Sequence, residues 1–474
     1  MESGIRTAGL LITLFFAFYA FNKRKDMPAL VFVALSPMTY FAQSFGLVLT
    51  PAKLLGLIFL GVLFFKPGLI KISKNKYFSN FKYYYIYTIY LTIIMSLFWP
   101  EFNASSQNFL YGNTMRGLVQ IFQTFMGLAI IIVLMNSLTT IHSLFRVQVV
   151  MLLSMVSVSI YGLYVWFAQR SGLPFNPITR QGGTASKDYN AVQTIIDGVQ
   201  VVRAYSITGE PKLLAVNACF GVILTYFTRA HQIRFLKGIK GEIFLMVLFL
   251  VTLYLTFSTA GYIILPIVIF VAIAVQFMVG QLNGDMIGRV LAFFVLMMIA
   301  AFLADIDIIG KIVSLFEDRV ETRINESGIF TFAEAAMVNF WEDNPVYTIS
   351  GTGLGGSSFY VRVYNTGAYE GYTAAPRGIV GFIGDKGVIG LLLFLLAVYK
   401  STIPLMIASR SNSPNRAIFA GILIICLVNV VLMFTFSYWG SEWLTVALLC
   451  SGATLAERET HMRKVAAYQQ AAHI

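Results

Sequence analysis

Charge is scarce in this chain: only 12% of its 474 residues are charged, and it holds just three cysteines and four histidines. Each shortage removes a class of chemistry. Cys219, Cys426 and Cys450 all lie in apolar runs, so neither a disulfide framework nor a zinc spacing can be built from them. His142, His231, His461 and His473 fall in short basic connections or in the last stretch, which leaves the long polar segments without a histidine ligand. No metal and no cofactor is expected. The run Gly351-Thr352-Gly353-Leu354-Gly355-Gly356 is not followed by Gly-Lys-Ser/Thr, so it is no Walker A loop. It reads as a flexible hinge or as backbone that must pass close to something. Nucleophile elbows, zincin motifs, internal repeats and heptads are all missing.

Apolar residues are what the chain has, at 57%. A bilayer uses that much apolar surface, because each helical span needs ~20 mostly apolar residues. Runs such as 243–257 and 391–399 do not alternate, which excludes a barrel of two-sided strands. Lipid offers the backbone no hydrogen-bond partner, so the spans must be helices. The fold class expected is an all-α polytopic membrane protein, a single membrane domain over 1–474. It has about thirteen transmembrane helices (roughly twelve to fourteen) on that span length. Their centres fall near 14, 35, 57, 90, 126, 157, 221, 249, 270, 295, 395, 427 and 449. The run 7–21 is followed, not preceded, by Lys23, Arg24 and Lys25, which makes it a retained span rather than a signal peptide.

Net charge is +12, yet its distribution does not suggest a nucleic-acid partner. Twenty of the 34 Lys and Arg fall in six short connections and the last stretch, alternating with connections poor in both. That is the positive-inside pattern; it places the N-terminus outside and the C-terminus in the cytoplasm, with membrane lipids as the partner of the basic connections.

Two long polar segments, 169–212 and 305–384, then face outward. In the first, residues 189–203 carry Val192, Ile195, Ile196, Val199 and Val202 at helical spacing. In the second, 329–341 reads as a helix ended by Asn344-Pro345, and 359–376, rich in Tyr and Gly, reads as irregular. The second segment has ten acidic residues against five basic ones. Acids and aromatics together suit carbohydrate, and simple avoidance of outer positive charge explains them equally well.

Arginines retained on that outer side are the candidate site. A guanidinium is permanently charged and its fork of donors suits phosphate oxygens. Arg203 opens Arg203-Ala-Tyr-Ser-Ile-Thr-Gly209-Glu210-Pro211, where the Gly-Glu-Pro turn leads into a span. Arg319 and Arg323 share one face if helical, among Glu317, Asp318, Glu321 and Glu326. Arg377 follows Tyr372 at the mouth of the next span, Arg116 begins the span at 117–135, and Arg180 lies in the first loop. The competing reading for each is an interfacial anchor or a surface ion pair.

In order and spacing these pieces resemble the O-antigen polymerase and O-antigen ligase superfamily over roughly residues 110–400. The resemblance rests on Arg203 with Gly209-Glu210-Pro211, on Thr256-Phe257-Ser258, on Arg319/Arg323 followed by Asn344-Pro345 and the glycine run, and on Asp385-Lys386-Gly387 opening a span. Ligases in that family carry a histidine before the last piece, where this chain has Arg377. An arginine is also frequent after the serine of the second piece, where Thr259 and Ala260 stand here. The missing histidine favours polymerase over ligase.

What the resemblance implies is a metal-independent glycosyltransferase of the GT-C type in the bacterial inner membrane, its active site facing the periplasm. Its substrates would be undecaprenyl-diphosphate-linked glycans, and a chain-length regulator is a further partner the family allows. In that scheme Arg203 and Arg377 serve the leaving diphosphate, and Glu210, Glu321 and Glu326 are the carboxylate candidates for the acceptor hydroxyl. Arg319, Arg323, Arg116, Arg180 and Tyr372 bind substrate. A transporter of lipid-linked oligosaccharide is the alternative from another class.

Overall fold

Long apolar stretches without buried breakers become helices, and the computed structural model follows that rule. It describes residues 11–15, 19, 24–38, 43–44, 48–66, 68, 75–100, 113–174, 193–196, 199–233, 236–281, 288, 332–365, 375–435 and 441–472. The helices are α1 (Met27–Leu35), α2 (Pro51–Phe65), α3 (Lys76–Met95), α4 (Asn113–Ser137), α5 (Ile141–Ser171), α6 (Pro211–Tyr226), α7 (Ile239–Leu255) and α8 (Thr259–Met278). After them come α9 (Phe332–Asp343), α10 (Pro345–Ser350), α11 (Ser357–Tyr364), α12 (Gly378–Arg410), α13 (Arg416–Thr435) and α14 (Ser441–Ala472). A 3-10 turn lies at Ala230–Gln232, and there are two short antiparallel pairs: β1 (Gln43–Ser44) with β2 (Val48–Leu49), and β3 (Gln193–Ile196) with β4 (Val199–Val202).

Among the described residues, five helices are long and apolar enough to cross a membrane: Met115–Ser137 within α4, then α5, α8, α12 and α13. On α8, Phe270 and Phe277 are both 72% exposed and stand two turns apart on one face, as a lipid-facing stripe requires. The chain is therefore consistent with a polytopic membrane protein. The span expected at 295 lies outside the described residues. The span expected at 35 meets only the nine residues of α1. That is about 14 Å of helix, short of the ~30 Å core. Pro37 and Pro51 on either side of the β1–β2 pair stop helix growth there.

The chain forms two compact units. The first is drawn from Met1–Ala52, Ile141–Thr322 and Met406–Ile425. At its core α6 packs on α5, α7 and α8. Small residues bring these helices close: the Gly221 Cα faces the Phe249 ring, Gly162 faces Leu214, and Gly261 faces Ala215 and Leu253. α6 is buried along most of its length, from Leu214 to Thr225, so it is mostly apolar on every face, with Asn217 and Thr225 satisfied by carbonyls of the helix itself.

The second unit is drawn from Lys53–Thr140, Arg323–Leu405 and Cys426–Ile474. Here α3, α4 and α14 pack together, and α9 packs on α11. Gly127 of α4 lies flat against the Trp443 ring of α14. At the start of α3, Asn75 caps the helix by accepting from the Tyr77 and Phe78 amides. Its amide group donates to Thr454 Oγ1, while Lys76 and Tyr77 both donate to Glu457.

The first long polar segment corrects the helix expected over 189–203: β3 and β4 form a hairpin there, with Ile196 opposite Val199. Only Asp197-Gly198 separates the strands, the dipeptide a tight two-residue turn prefers, and the flanking Thr, Ile and Val favour strand. In the second segment α9 and the break at Asn344-Pro345 are as expected, whereas 359–376 is not wholly irregular. α11 covers Ser357–Tyr364, because Ser358, Phe359, Tyr360 and Val361 bury one face in a cluster with Met95, Trp99, Met337 and Phe340.

Candidate functional site

In the first unit, two of the sequence pieces meet. Arg203 follows β4 and is half-buried; its Nε donates to the Thr256 carbonyl at 2.9 Å. The next amide, Ala204, donates to Leu255 O at 2.7 Å. The chain leaving the hairpin thus supplies hydrogen bonds to the last carbonyls of α7, which no residue within that helix can pair. A cation there also meets the negative end of the helix dipole. Residue 257 then turns sharply: Phe257 has φ +42°, the one non-glycine with positive φ among the described residues. That region is costly for a residue with a side chain. The strain buys a break of three residues, Thr256-Phe257-Ser258, between α7 and α8, with the Arg203 guanidinium fixed at it.

Glu210 stands just before α6, in extended conformation, and its carbonyl accepts the first helical bond from Leu214. Its side chain makes no capping hydrogen bond and is half-buried. Farther back, Arg170 lies over the Trp166 ring at 4.0 Å, an interfacial type of contact.

In the second unit the glycine run of the third piece meets the fourth piece. The glycine run docks on the opening of α12. Thr352 N and Oγ1 both donate to Gly384 O, and Gly353 N donates to Asp385 O at 2.9 Å. α12 is broken at Gly387, whose φ is +67°. A Cβ on Gly351 would sit 2.4 Å from Gly387 N, and a Cβ on Gly387 would sit 2.2 Å from Ile349 O. Close backbone approach, one of the two readings of this run, accounts for these glycines.

The anion at this turn is the protein's own. Asp385 Oδ1 accepts from Ser357 Oγ at 2.7 Å and from Ser357 N at 3.3 Å, at the N-terminal end of α11. The amide dipoles that would cradle a phosphate are therefore directed at a carboxylate. Trp99 closes the turn by donating to Thr352 O at 2.7 Å and stacking on Phe359. Arg116, on α4, is half-buried; it donates to Ser358 Oγ at 2.8 Å and lies 4.8 Å from the Phe359 ring. Burial and the neighbouring Tyr347 push the Tyr360 hydroxyl up, which keeps it protonated.

Next to Asp385 on α12, Lys386 is buried and donates to both Tyr84 Oη and Glu442 Oε2. The sequence reading passed over this group, although a lysine inside the apolar run after Gly378 carries the same signal that singled out Arg116. Arg377, just before α12, has an exposed side chain, while its amide donates to Glu334 Oε1 at 2.7 Å. Glu334, on α9, was likewise passed over.

Arg203 and Glu210 belong to the first unit, and Arg116 and Arg377 to the second. Arg180, Arg319, Glu321, Arg323, Glu326 and Tyr372 lie outside the described residues. No cluster of three His, Cys, Asp or Glu suited to a metal ion occurs among the described residues. No family model, curated protein or solved structure matches the chain.

Proposed function

We propose that this chain is a polymerase of bacterial surface polysaccharide. In this reading it sits in the inner membrane and transfers a glycan from undecaprenyl diphosphate to a lipid-linked repeat unit at the periplasmic face. The acceptor hydroxyl attacks the anomeric carbon, the bond from that carbon to the diphosphate oxygen breaks, and the diphosphate leaves with the electron pair. The hydroxyl proton passes to a carboxylate, with Glu210, Glu321 and Glu326 as candidates. Charge grows on the leaving group, so arginines placed beforehand stabilise the transition state more than the ground state.

The observation that carries this reading is the fixing of Arg203 by the Thr256 carbonyl beside the strained Phe257. A guanidinium held in a set position at a helix break supports preorganised anion binding. The test is reconstitution with lipid-linked repeat units and sizing of the products on a gel. Polymer from the native chain and none from Arg203→Lys supports it. Unchanged product length and yield from that variant removes Arg203 from the role. Free polymer retained with attachment to lipid A-core lost would identify the ligase instead.

A second reading, a transporter of lipid-linked oligosaccharide, is favoured by one observation. α12 is a candidate span interrupted at Gly387, with Lys386 buried and Asp385 half-buried at the break. Broken helices with interior charge are a transporter feature. Translocation of the lipid-linked unit across vesicles without elongation would decide for it.

A further inference from the structure

We infer that Glu334 is a positioning residue for Arg377, holding the stem of that arginine so that its guanidinium meets a lipid diphosphate in a set orientation. The inference rests on the reading of Arg377 as a diphosphate ligand.

Glu334 is a carboxylate where an apolar side chain would be expected. It is 7% exposed, in the first turn of α9, between Ala333, Ala336 and Met337 of an apolar cluster. One oxygen, Oε1, accepts the Arg377 amide at 2.7 Å. The other, Oε2, is buried with no hydrogen-bond partner among the described residues. A carboxylate half-satisfied in apolar surroundings is costly. What the cost achieves is the hold on the Arg377 main chain.

That main chain is constrained on every side. Pro376, buried, fixes the approach. The Arg377 carbonyl accepts the Gly381 amide at 3.1 Å, the first helical bond of α12. Gly378 follows with φ +58°, and a Cβ there would lie 2.5 Å from Phe434 O. So the peptide is pinned between α9 and the end of α13, while the Arg377 side chain is exposed and forms no ion pair with a described residue. A long side chain on a fixed stem loses less freedom on binding than one on a loose loop.

The experiment measures binding of undecaprenyl diphosphate to the full chain in lipid nanodiscs. The variants are R377A, E334A, E334D, E334Q and E334A with R377A. R377A and E334A should each weaken binding about tenfold, the scale of one lost charge-assisted hydrogen bond. The double variant should be no weaker than R377A, because Glu334 acts only through that arginine. E334Q keeps the acceptor at the same reach and should restore most of the affinity. E334D withdraws the acceptor by one methylene and should behave as E334A, which covers the case where E334A does not fold. Native binding by E334D and E334A beside a weakened R377A overturns the inference alone, as do multiplied losses in the double variant. Loss in E334Q to the level of E334A, with charge rather than reach deciding, also overturns it. If R377A itself binds as the native chain does, Arg377 is not the ligand, and the functional reading of that residue is what fails.

Discussion

Lys386 Nζ lies 3.2 Å from Glu442 Oε2, and Tyr84 closes the pair into a ring by accepting from Lys386 and donating to Glu442 Oε1 at 3.1 Å. The lysine side chain is 10% exposed and the glutamate 21%. The Phe382 ring lies 4.2 Å from the ammonium. α3, α12 and α14 thus meet at one charged point inside the second unit. Burying charge is costly; the direct contact offsets it, and the Tyr84 hydroxyl satisfies the second carboxylate oxygen.

Lys386→Met should destabilise the protein by ~1–3 kcal/mol, because half-buried Glu442 loses its cationic partner and keeps only the Tyr84 hydroxyl. Replacing both partners, with Lys386→Met and Glu442→Leu, should recover most of that loss. Thermal midpoints of the purified protein in detergent measure both. A single variant as stable as the native chain would show that the ring contributes nothing.

Gly351 and Gly61 should respond in opposite directions to alanine. At Gly351, φ is +81° and a Cβ would sit 2.4 Å from Gly387 N, so Gly351→Ala must push the glycine turn off the break in α12. A loss of at least ~2 kcal/mol is expected from strain and overpacking together. Gly61, in α2, has open space around it, and Gly61→Ala should stabilise by ~0.5–1 kcal/mol. Equal effects at the two positions would contradict the packing described.

Removing the Asp385 carboxylate should loosen α11. Asp385→Ala leaves the Ser357 hydroxyl and amide without their acceptor, for a cost of ~1–3 kcal/mol. Combined with Ser357→Ala, the loss should be less than the sum of the single losses. Limited proteolysis between 351 and 364 is the readout, and native resistance in D385A would refute the assignment.

The hairpin in the first polar segment should depend on its turn. Gly198→Val replaces the glycine of the Asp-Gly dipeptide that two-residue hairpin links prefer by a β-branched residue, at a cost of ~1–2 kcal/mol. Amide exchange at 193–196 and 199–202 should speed up markedly. Protection equal to the native chain would mean that the hairpin does not depend on Gly198.

How much of this was legible in the chain varies with the range of the interaction involved. The helices centred near 126, 157, 270, 395 and 427 follow from apolar content alone, since a long apolar run has one way to satisfy its backbone. The hairpin was misread as a helix because its apolar residues also fall at helical spacing. The turn dipeptide Asp197-Gly198 was the signal that decides between them. α11 was hidden for another reason: a helix of eight residues is held by the cluster around Phe340, not by its own propensity.

Composition and periodicity by themselves settled that this is a helical chain with apolar spans, because helix formation in a run of apolar residues is a local matter. The meaning of individual polar residues was decided only by tertiary packing. Asp385 became the anion of the glycine turn, Lys386 the partner of Glu442, Glu334 the hold on Arg377, and Arg203 the donor to the end of α7. Each of those roles joins residues 28 to 56 positions apart. A charge in apolar surroundings persists only where a partner reaches it, and no local pattern in the sequence names that partner.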